Sequence, residues 1–461
     1  MVKGTGDKDS DTIAGIATPP GIGGIGIVRM SGPDALRIAD SIFEGKKKPS
    51  ELKGFQAIYG WITDGEQRLD EAIVLVMRGP RSYTREDVVE LQCHGGPVVL
   101  RQILDAVLKK GARLAEPGEF TRRAFLSGRI DLSQAEAVAS LVFSQTSGSA
   151  RAALRGLSGE LGKKIKGVRE VLMKLVADLE AGLDFAEEDI EFVRREDVER
   201  ELKDILLRIS GLIRGARAGM ILSEGVKLVI AGKPNAGKST LMNALLERDR
   251  VIVTPYPGTT RDVVEEVINL DGVLVRLSDT AGIREDAGEI EKEGVARSWR
   301  AIQEADLILL MFDGSERISE YDRRLIEETK NLKRLILVNK IDLKIELNLR
   351  ELEALSGSEV LEISAREGTG LDRLRKRIQE MIWEGDLSGE DALVSSARQL
   401  ELLKRVKDGI EDALNAHKEN LSEEFIVAEL RKALNVLAEI SGEIISDEIL
   451  DMIFSRFCIG K

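Results

Sequence analysis

This chain has very little cysteine, histidine or aromatic residue, and no excess of positive charge. Among 461 residues there are two cysteines, Cys93 and Cys458, and two histidines, His94 and His417. Two thiols make no disulfide framework, and the set is too small for a zinc centre. That usage fits a reducing compartment, so a cytoplasmic location is expected. Aromatic residues are 4% of the chain, too few for a base-stacking platform. The formal net charge is −13, which argues against general electrostatic binding of nucleic acid. No apolar run approaches the ~18 residues of a membrane span. The N-terminus carries Asp7, Asp9 and Asp11 and lacks the apolar core of a signal or transit peptide. With 43% hydrophobic and 32% charged residues, the chain is long enough for about three globular domains.

One stretch organises the rest. Gly232-Lys-Pro-Asn-Ala-Gly-Lys238-Ser239 fits G-x-x-x-x-G-K-[ST], in which backbone N–H groups close around phosphates and the lysine adds a point charge. Val226–Ala231 reads as the strand required before it, and Leu241, Ala244 and Leu245 have helical spacing after it. The residues expected at the nucleotide here are Asn235, Ala236, Gly237, Lys238, Ser239 and Thr240.

The later motifs follow in the order a GTPase needs. Gly258-Thr259-Thr260 offers a hydroxyl, taken as that of Thr260, to complete a Mg²⁺ shell begun by Ser239. Asp271-Gly272 predicts a hairpin whose second run ends in Asp279-Thr280-Ala281-Gly282. An acid there can hold Mg²⁺ through water, and the glycine can present its N–H to a γ-phosphate. Asn339-Lys340-Ile341-Asp342 follows the apolar run Leu335–Val338. The carboxylate of Asp342 can take two hydrogen bonds from guanine, and adenine would leave it unpaired, a discrimination of roughly 10⁴-fold. Ser364-Ala365-Arg366 supplies backbone to the guanine O6. Five motifs in order predict a GTP-hydrolysing domain.

Along the chain, residues 1–126 read as a small α+β domain, with strands at Ile25–Met30, Ala72–Met77 and Val88–Gln92 and helices at Pro33–Ile42 and Pro97–Leu108. Gly21-Ile-Gly23-Gly-Ile-Gly26 matches a dinucleotide fingerprint, but prolines precede it and a β-rich run follows, so no dinucleotide site is expected. Residues 127–221 turn helical, with Ile165, Val168, Leu172, Leu175, Leu179 and Leu183 on one stripe. Residues 122–174 carry a charge balance of +6 and 180–204 one of −7, both read as solvated helix faces. The GTPase unit spans 222–384. Helical periodicity resumes over 385–461, at Leu400, Leu403, Val406 and Ile410, then Val427, Leu430, Leu434 and Leu437, then Ile449, Ile453 and Phe457. Neither helical block has an obvious core of its own, so the two are expected to pack on each other, with the GTPase inserted between them.

Taken with the tail Phe457-Cys458-Ile459-Gly460-Lys461, nearly the whole chain resembles the MnmE (TrmE) family of tRNA modification GTPases. The resemblance rests on Ala17-Thr-Pro-Pro-Gly21, Gly23-Gly24, Glu90-Leu-Gln-Cys-His-Gly-Gly-Pro97, Pro117-Gly-Glu-Phe120, the five GTPase motifs and the terminal Cys-Ile-Gly-Lys. It implies a multidomain α/β protein: an N-terminal α+β domain for folate binding and dimerisation, then an all-α helical domain interrupted by an inserted Ras-like P-loop GTPase domain. It further implies a homodimer joined to an FAD-dependent MnmG-type protein in a heterotetramer, contacting tRNA mainly through that partner. Together they would add an aminomethyl-type group to C5 of the wobble uridine, using one carbon from a tetrahydrofolate derivative. The chain departs from the family pattern at Ile22, often arginine, at Arg129, often lysine, and at Cys93, usually a small residue.

The resemblance also implies how hydrolysis works. Ras-like enzymes commonly carry glutamine after Asp-Thr-Ala-Gly, and here that residue is Ile283. Glu291 matches the family position that orients water. K⁺ replaces an arginine finger, held by the Asn235 amide oxygen, the carbonyls of Thr254 and Tyr256, and Thr259. The family's folate contacts map to Arg29, Glu90 and Lys461, with Arg129 in place of lysine. Cys458 would serve as nucleophile or acid in modification; a prenylation box is rejected because Gly460 is not aliphatic and Lys461 is not a typical last residue. The competing readings are a GTPase assembly factor for ribosomes and a regulatory scaffold. Such assembly factors usually carry a basic RNA module, and no G-x-x-G clamp in a basic helical setting is found.

Overall fold

Alternation of apolar and polar residues lays down the first sheet. In this computed structural model, which describes residues 11–184, 194–249, 266–279, 299–383 and 393–461, seven strands form it: β1 (Ile13–Ile16), β2 (Gly23–Ser31), β3 (Phe43–Gly45), β4 (Gln56–Asp64), β5 (Gln67–Met77), β6 (Val88–Gly95) and β7 (Arg113–Leu114). Their order is β3-β4-β5-β6-β2-β1-β7. Val28 and Met30 of β2, Val74 and Val76 of β5, and Leu91 of β6 point to one face. The helices Ala35–Ile42 and Pro97–Lys109 cover it with Ile38, Ile42, Leu100, Ile103 and Val107, all at most 5% exposed. Each such side chain contributes about 1.5–3 kcal/mol relative to exposure. Arg29 and Glu90, on the alternate residues of β2 and β6, point to the opposite face.

The chain divides into two compact units, one of Met1–Ala139, Gly156–Ile209 and Glu401–Lys461, the other of Ser140–Arg155 and Ser210–Leu400. In the first, the expected packing of helices from before and after the GTPase is present. Helix Glu160–Asp184 lies along helix Glu423–Ser441. Its stripe Ile165, Val168, Leu172, Leu175 and Leu179 is buried, as are Val427, Leu430 and Leu437. Arg431 reaches Glu180 at 2.7 Å between these helices, and Arg169 reaches Glu443, just past the end of the second, at 3.1 Å.

The second unit holds a six-stranded sheet of β8 (Val226–Ala231), β9 (Glu266–Leu270), β10 (Val273–Asp279), β11 (Leu307–Asp313), β12 (Arg334–Asn339) and β13 (Val360–Glu362). The order is β13-β12-β11-β8-β10-β9, parallel except that β9 runs antiparallel to β10. The unbroken apolar run Leu307–Phe312 is buried on both faces, as a central parallel strand must be. Helices cover the sheet, among them Lys238–Asp249, Glu320–Glu328, Leu349–Ser356 and Leu371–Ile382. In such sheets, ligands gather at the carboxyl ends of the strands. Those ends carry Gly232, Asp279, Asp313 and Asn339.

Candidate functional site

At the end of β8 the backbone turns through Gly232–Gly237 into helix Lys238–Asp249. Asn235 and Gly237 take left-handed φ values of 64° and 100°. At Gly237 an added Cβ would lie 2.2 Å from the Asn339 side-chain nitrogen, so only glycine lets the loop close against that residue. The Lys238 ammonium donates to the carbonyls of Gly232 at 3.0 Å and Lys233 at 2.8 Å. A cation so placed, within a ring of backbone N–H groups at a helix start, fits two phosphates. Ser239 and Thr240 follow on the first turn, both exposed. Among the described residues no cluster of three or more His, Cys, Asp or Glu could hold a metal.

The end of β12 meets this loop. Asn339, 3% exposed, donates its amide to the Ala236 carbonyl at 2.8 Å and accepts from the Ala365 N–H at 2.9 Å. One side chain thus ties the phosphate loop to the Ser364-Ala365 loop after β13. Asp342 lies exposed, and its Oδ1 accepts from Ser364 Oγ at 2.6 Å. That hydrogen bond, aided by Arg366 and Lys340, holds the Asp342 carboxyl below its ordinary range. It stays ionised and acceptor-only at neutral pH. Lys340 has a left-handed φ of 67°, and its ammonium donates to Asp313 Oδ2 at the neighbouring end of β11. The structure thus gathers Asn235, Ala236, Gly237, Lys238, Ser239, Asn339, Lys340, Asp342, Ser364, Ala365 and Arg366 at one end of the sheet. β10 ends at Asp279. The other expected residues, Thr254, Tyr256, Thr259, Thr260, Thr280, Ala281, Gly282 and Glu291, lie outside the described residues.

A second polar site sits on the first unit. Arg29 faces Glu90 directly across the β2–β6 ladder. Its Nε donates to Glu90 Oε1 at 2.9 Å, and another guanidinium nitrogen donates to the Gly460 carbonyl at 3.0 Å. The guanidinium also lies 5.6 Å above the Phe120 ring, a cation–π distance. The tail reaches this point because helix Asp447–Phe454 anchors it through Leu450 and Phe454. The helix ends three residues before the expected Phe457, and Phe457 instead packs its ring 5.3 Å from Phe454. Gly460 then takes a φ of 97°, where a Cβ would fall 2.3 Å from the Ile16 carbonyl.

Lys461 is half-buried beside Arg29. Burial first, and the Arg29 charge second, push its ammonium below the usual lysine range; Cys458 and Glu90 pull the other way. Arg29 is the ion-pair partner of Glu90, and Lys461 lies close enough to feel both charges. Arg129 is not placed on Arg29 or Glu90. Its guanidinium lies 4.7 Å over the Tyr83 ring, and Tyr83 packs against the cluster containing Phe120, the ring beneath Arg29. Cys93 is buried, and burial with the Asp70 charge pushes its thiol up to about 11, which leaves it unreactive at neutral pH.

Sequence reading missed several of these contacts. Glu119, from Pro117-Gly-Glu-Phe120, accepts from Arg113 at 2.6 Å and the buried Arg123 at 3.1 Å, so that motif acid is structural. Lys233 of the phosphate loop pairs with Asp322 at 2.8 Å. An acid closing an apolar strand run, as Asp313 does, was a signal available beforehand.

A family model described as the MnmE helical domain matches residues 132–458. Another, described as the GTP-binding protein TrmE N-terminus, matches 12–129. The tRNA modification GTPase MnmE of Symbiobacterium thermophilum is 46% identical over 98% of this chain and 99% of its own. That of Acetivibrio thermocellus is 43% identical over 98% and 99%. Among solved structures, Aquifex aeolicus Era bound to GDP·AlF4− is 30% identical over 40% of this chain and 66% of its own, at a TM-score of 0.30, too low to compare folds. No helix among the described residues is long and apolar enough to cross a membrane. With two family models spanning it and full-length relatives above 40% identity, this chain belongs to the MnmE family of tRNA modification GTPases.

Proposed function

We propose that this chain hydrolyses GTP to drive addition of a carboxymethylaminomethyl or aminomethyl group to C5 of the wobble uridine of certain tRNAs. The observation that carries the GTP half is Asn339, which binds the phosphate loop at Ala236 and the Ser364-Ala365 loop at Ala365. Lys238 exchanges its two carbonyl partners for the β- and γ-phosphates, and Asp342, already oriented by Ser364, accepts the guanine N–H groups. Ser239 and Thr260 are assigned to Mg²⁺; Asn235, Thr254, Tyr256 and Thr259 to K⁺; and Glu291 to orienting water. Mg²⁺ and K⁺ bound there would supply positive charge where negative charge gathers on the phosphates in the transition state.

The modification half rests on Arg29, Glu90 and Lys461, which the seated tail brings together. Arg29 and Lys461 fit the carboxylates of a tetrahydrofolate, which would supply one carbon, and Glu90 Oε2 can accept from a pterin N–H. Arg129, stacked on Tyr83, joins this site only if its side chain swings away from that ring. Cys458 stands next to it in sequence order, with a thiol available for proton or covalent work. The protein acts in the cytoplasm as a homodimer with an FAD-dependent partner that carries most of the tRNA contact. Nucleoside analysis of tRNA from cells lacking the protein tests this reading. Loss of the wobble-uridine modification is expected; intact modification with accumulated ribosome precursors would overturn it in favour of an assembly factor.

A further inference from the structure

The segment after β11 touches both halves of the nucleotide site. Its first residue, Asp313, ends β11 in register with Asn339 on β12. Asp313 Oδ1 accepts from the Ser315 N–H at 2.9 Å and hydroxyl at 2.6 Å, and Oδ2 takes the Lys340 ammonium. Its side chain is 8% exposed. Gly314 donates its N–H to the Asn339 carbonyl at 2.8 Å, which locks the segment to the base-reading motif. Nine residues after Asp313 comes Asp322, 4% exposed, whose Oδ2 accepts from Ser319 N–H and Oγ at 2.9 and 2.8 Å and meets Lys233 Nζ at 2.8 Å. The carbonyl of that same Lys233 holds the ammonium of Lys238.

We propose that Asp313 and Asp322 are positioning residues for GTP hydrolysis: Asp313 fixes Lys340 beside the base, Asp322 fixes Lys233 in the phosphate loop, and their shared segment spaces the two halves. The inference rests on reading Asn339–Asp342 as the base-reading loop.

Ordinary capping does not account for the arrangement. A capping carboxylate can remain in water, whereas these two are buried, and a buried charge is tolerated only when paired. Both paired lysines belong to nucleotide motifs, on two different loops. Lys340 also holds a left-handed backbone, a strained state for a side-chain-bearing residue that the surroundings must enforce. With its ammonium clamped, the Lys340 stem loses rotamer freedom before the nucleotide arrives, so less is lost on binding. With Lys233 clamped, its carbonyl stays where Lys238 rests, and the loop keeps its curvature when Lys238 turns to the phosphates.

The two aspartates should therefore fail differently. Affinities of the full-length chain for GDP and GTP, with single-turnover hydrolysis, are measured for Asp313→Asn and Asp322→Asn. The amides keep the shape and the Ser315 or Ser319 contacts. Asp313→Asn is expected to weaken GDP and GTP alike by about tenfold, because the lost order lies at the base. Asp322→Asn is expected to weaken GTP more than GDP and to slow hydrolysis by about tenfold, because the lost order lies at the phosphates. Lys233→Arg, which keeps the ion pair, should restore most of the rate lost in Lys233→Gln. If Asp322→Asn fails to fold, the double change Lys233→Gln with Asp322→Asn removes both charges together and should fold yet remain slow. Unchanged affinities and rates, or lowered melting temperature alone, overturn the proposal. Asp342→Asn in the same assay checks the base-reading loop separately: a switch to xanthine nucleotides upholds that reading even where the aspartate variants behave as wild type.

Discussion

The guanidinium of Arg29 binds Glu90 on one side and the carbonyl of Gly460 on the other, at 2.9 and 3.0 Å. The first contact spans two neighbouring strands of one sheet. The second joins that sheet to the penultimate residue of the chain, so the tail is seated by a residue near the beginning.

Removing Arg29 should undo both contacts. Arg29→Met leaves the Glu90 carboxylate, 11% exposed, without its cation. The cost is about 2–3 kcal/mol, below that of a fully buried pair because some water reaches both groups. Urea denaturation checks this; a change under about 0.5 kcal/mol would mean that water already satisfies Glu90.

The tail itself should matter to modification and not to hydrolysis. Deleting Cys458–Lys461, or replacing Gly460 with valine, which meets the Ile16 carbonyl, should spare GTP turnover and abolish tRNA modification. Parallel GTPase and tRNA nucleoside assays test the split. Normal modification by the truncated protein would remove the tail from the site.

Lys461 gives the docked tail a pH dependence. Its folded pKa lies below the ordinary 10.5, through burial and Arg29. Between those two values the unfolded chain binds more protons than the folded one, so stability rises with pH. The penalty is fully present below the folded pKa and is relieved as pH climbs toward 10.5. The stability advantage expected for Lys461→Met at pH 7 should therefore shrink by pH 10. A constant difference in denaturation midpoints would show that Lys461 is not desolvated.

Asp342→Asn should exchange guanine for xanthine preference, because the amide can pair with a 2-oxo group. The Ser364 hydroxyl at 2.6 Å can donate to the amide oxygen as it does to the carboxylate, so the loop should hold its shape. Competition between GTP and xanthosine triphosphate measures it; unaltered preference contradicts the assignment.

Asn235→Gly is the clean test of K⁺ dependence. Glycine keeps the left-handed φ of 64° without strain and removes only the amide oxygen. Wild-type hydrolysis should be fast in K⁺ and slow in Na⁺, and the variant should lose that difference. Equal wild-type rates in both salts would place the missing charge elsewhere.

Local sequence determined much of this protein. The phosphate loop, the Asp271-Gly272 hairpin, β8, β12 and the buried stripe Ile165–Leu179 depend on residues within one turn or strand of each other, and their spacing alone carries them. β4 escaped notice because Gln56–Asp64 mixes exposed Tyr59 and half-buried Trp61 with buried Gly60 and Ile62, a pattern that only strand pairing with β3 and β5 explains. The tertiary structure alone decided the polar partners. Arg29 and Gly460 lie 431 residues apart, and Lys340, just past the end of β12, lies 27 residues from Asp313 at the end of β11. An ion pair has no period and leaves no local signature. Its members become legible only when the folded sheet sets two strand ends side by side and burial forces each charge to find another.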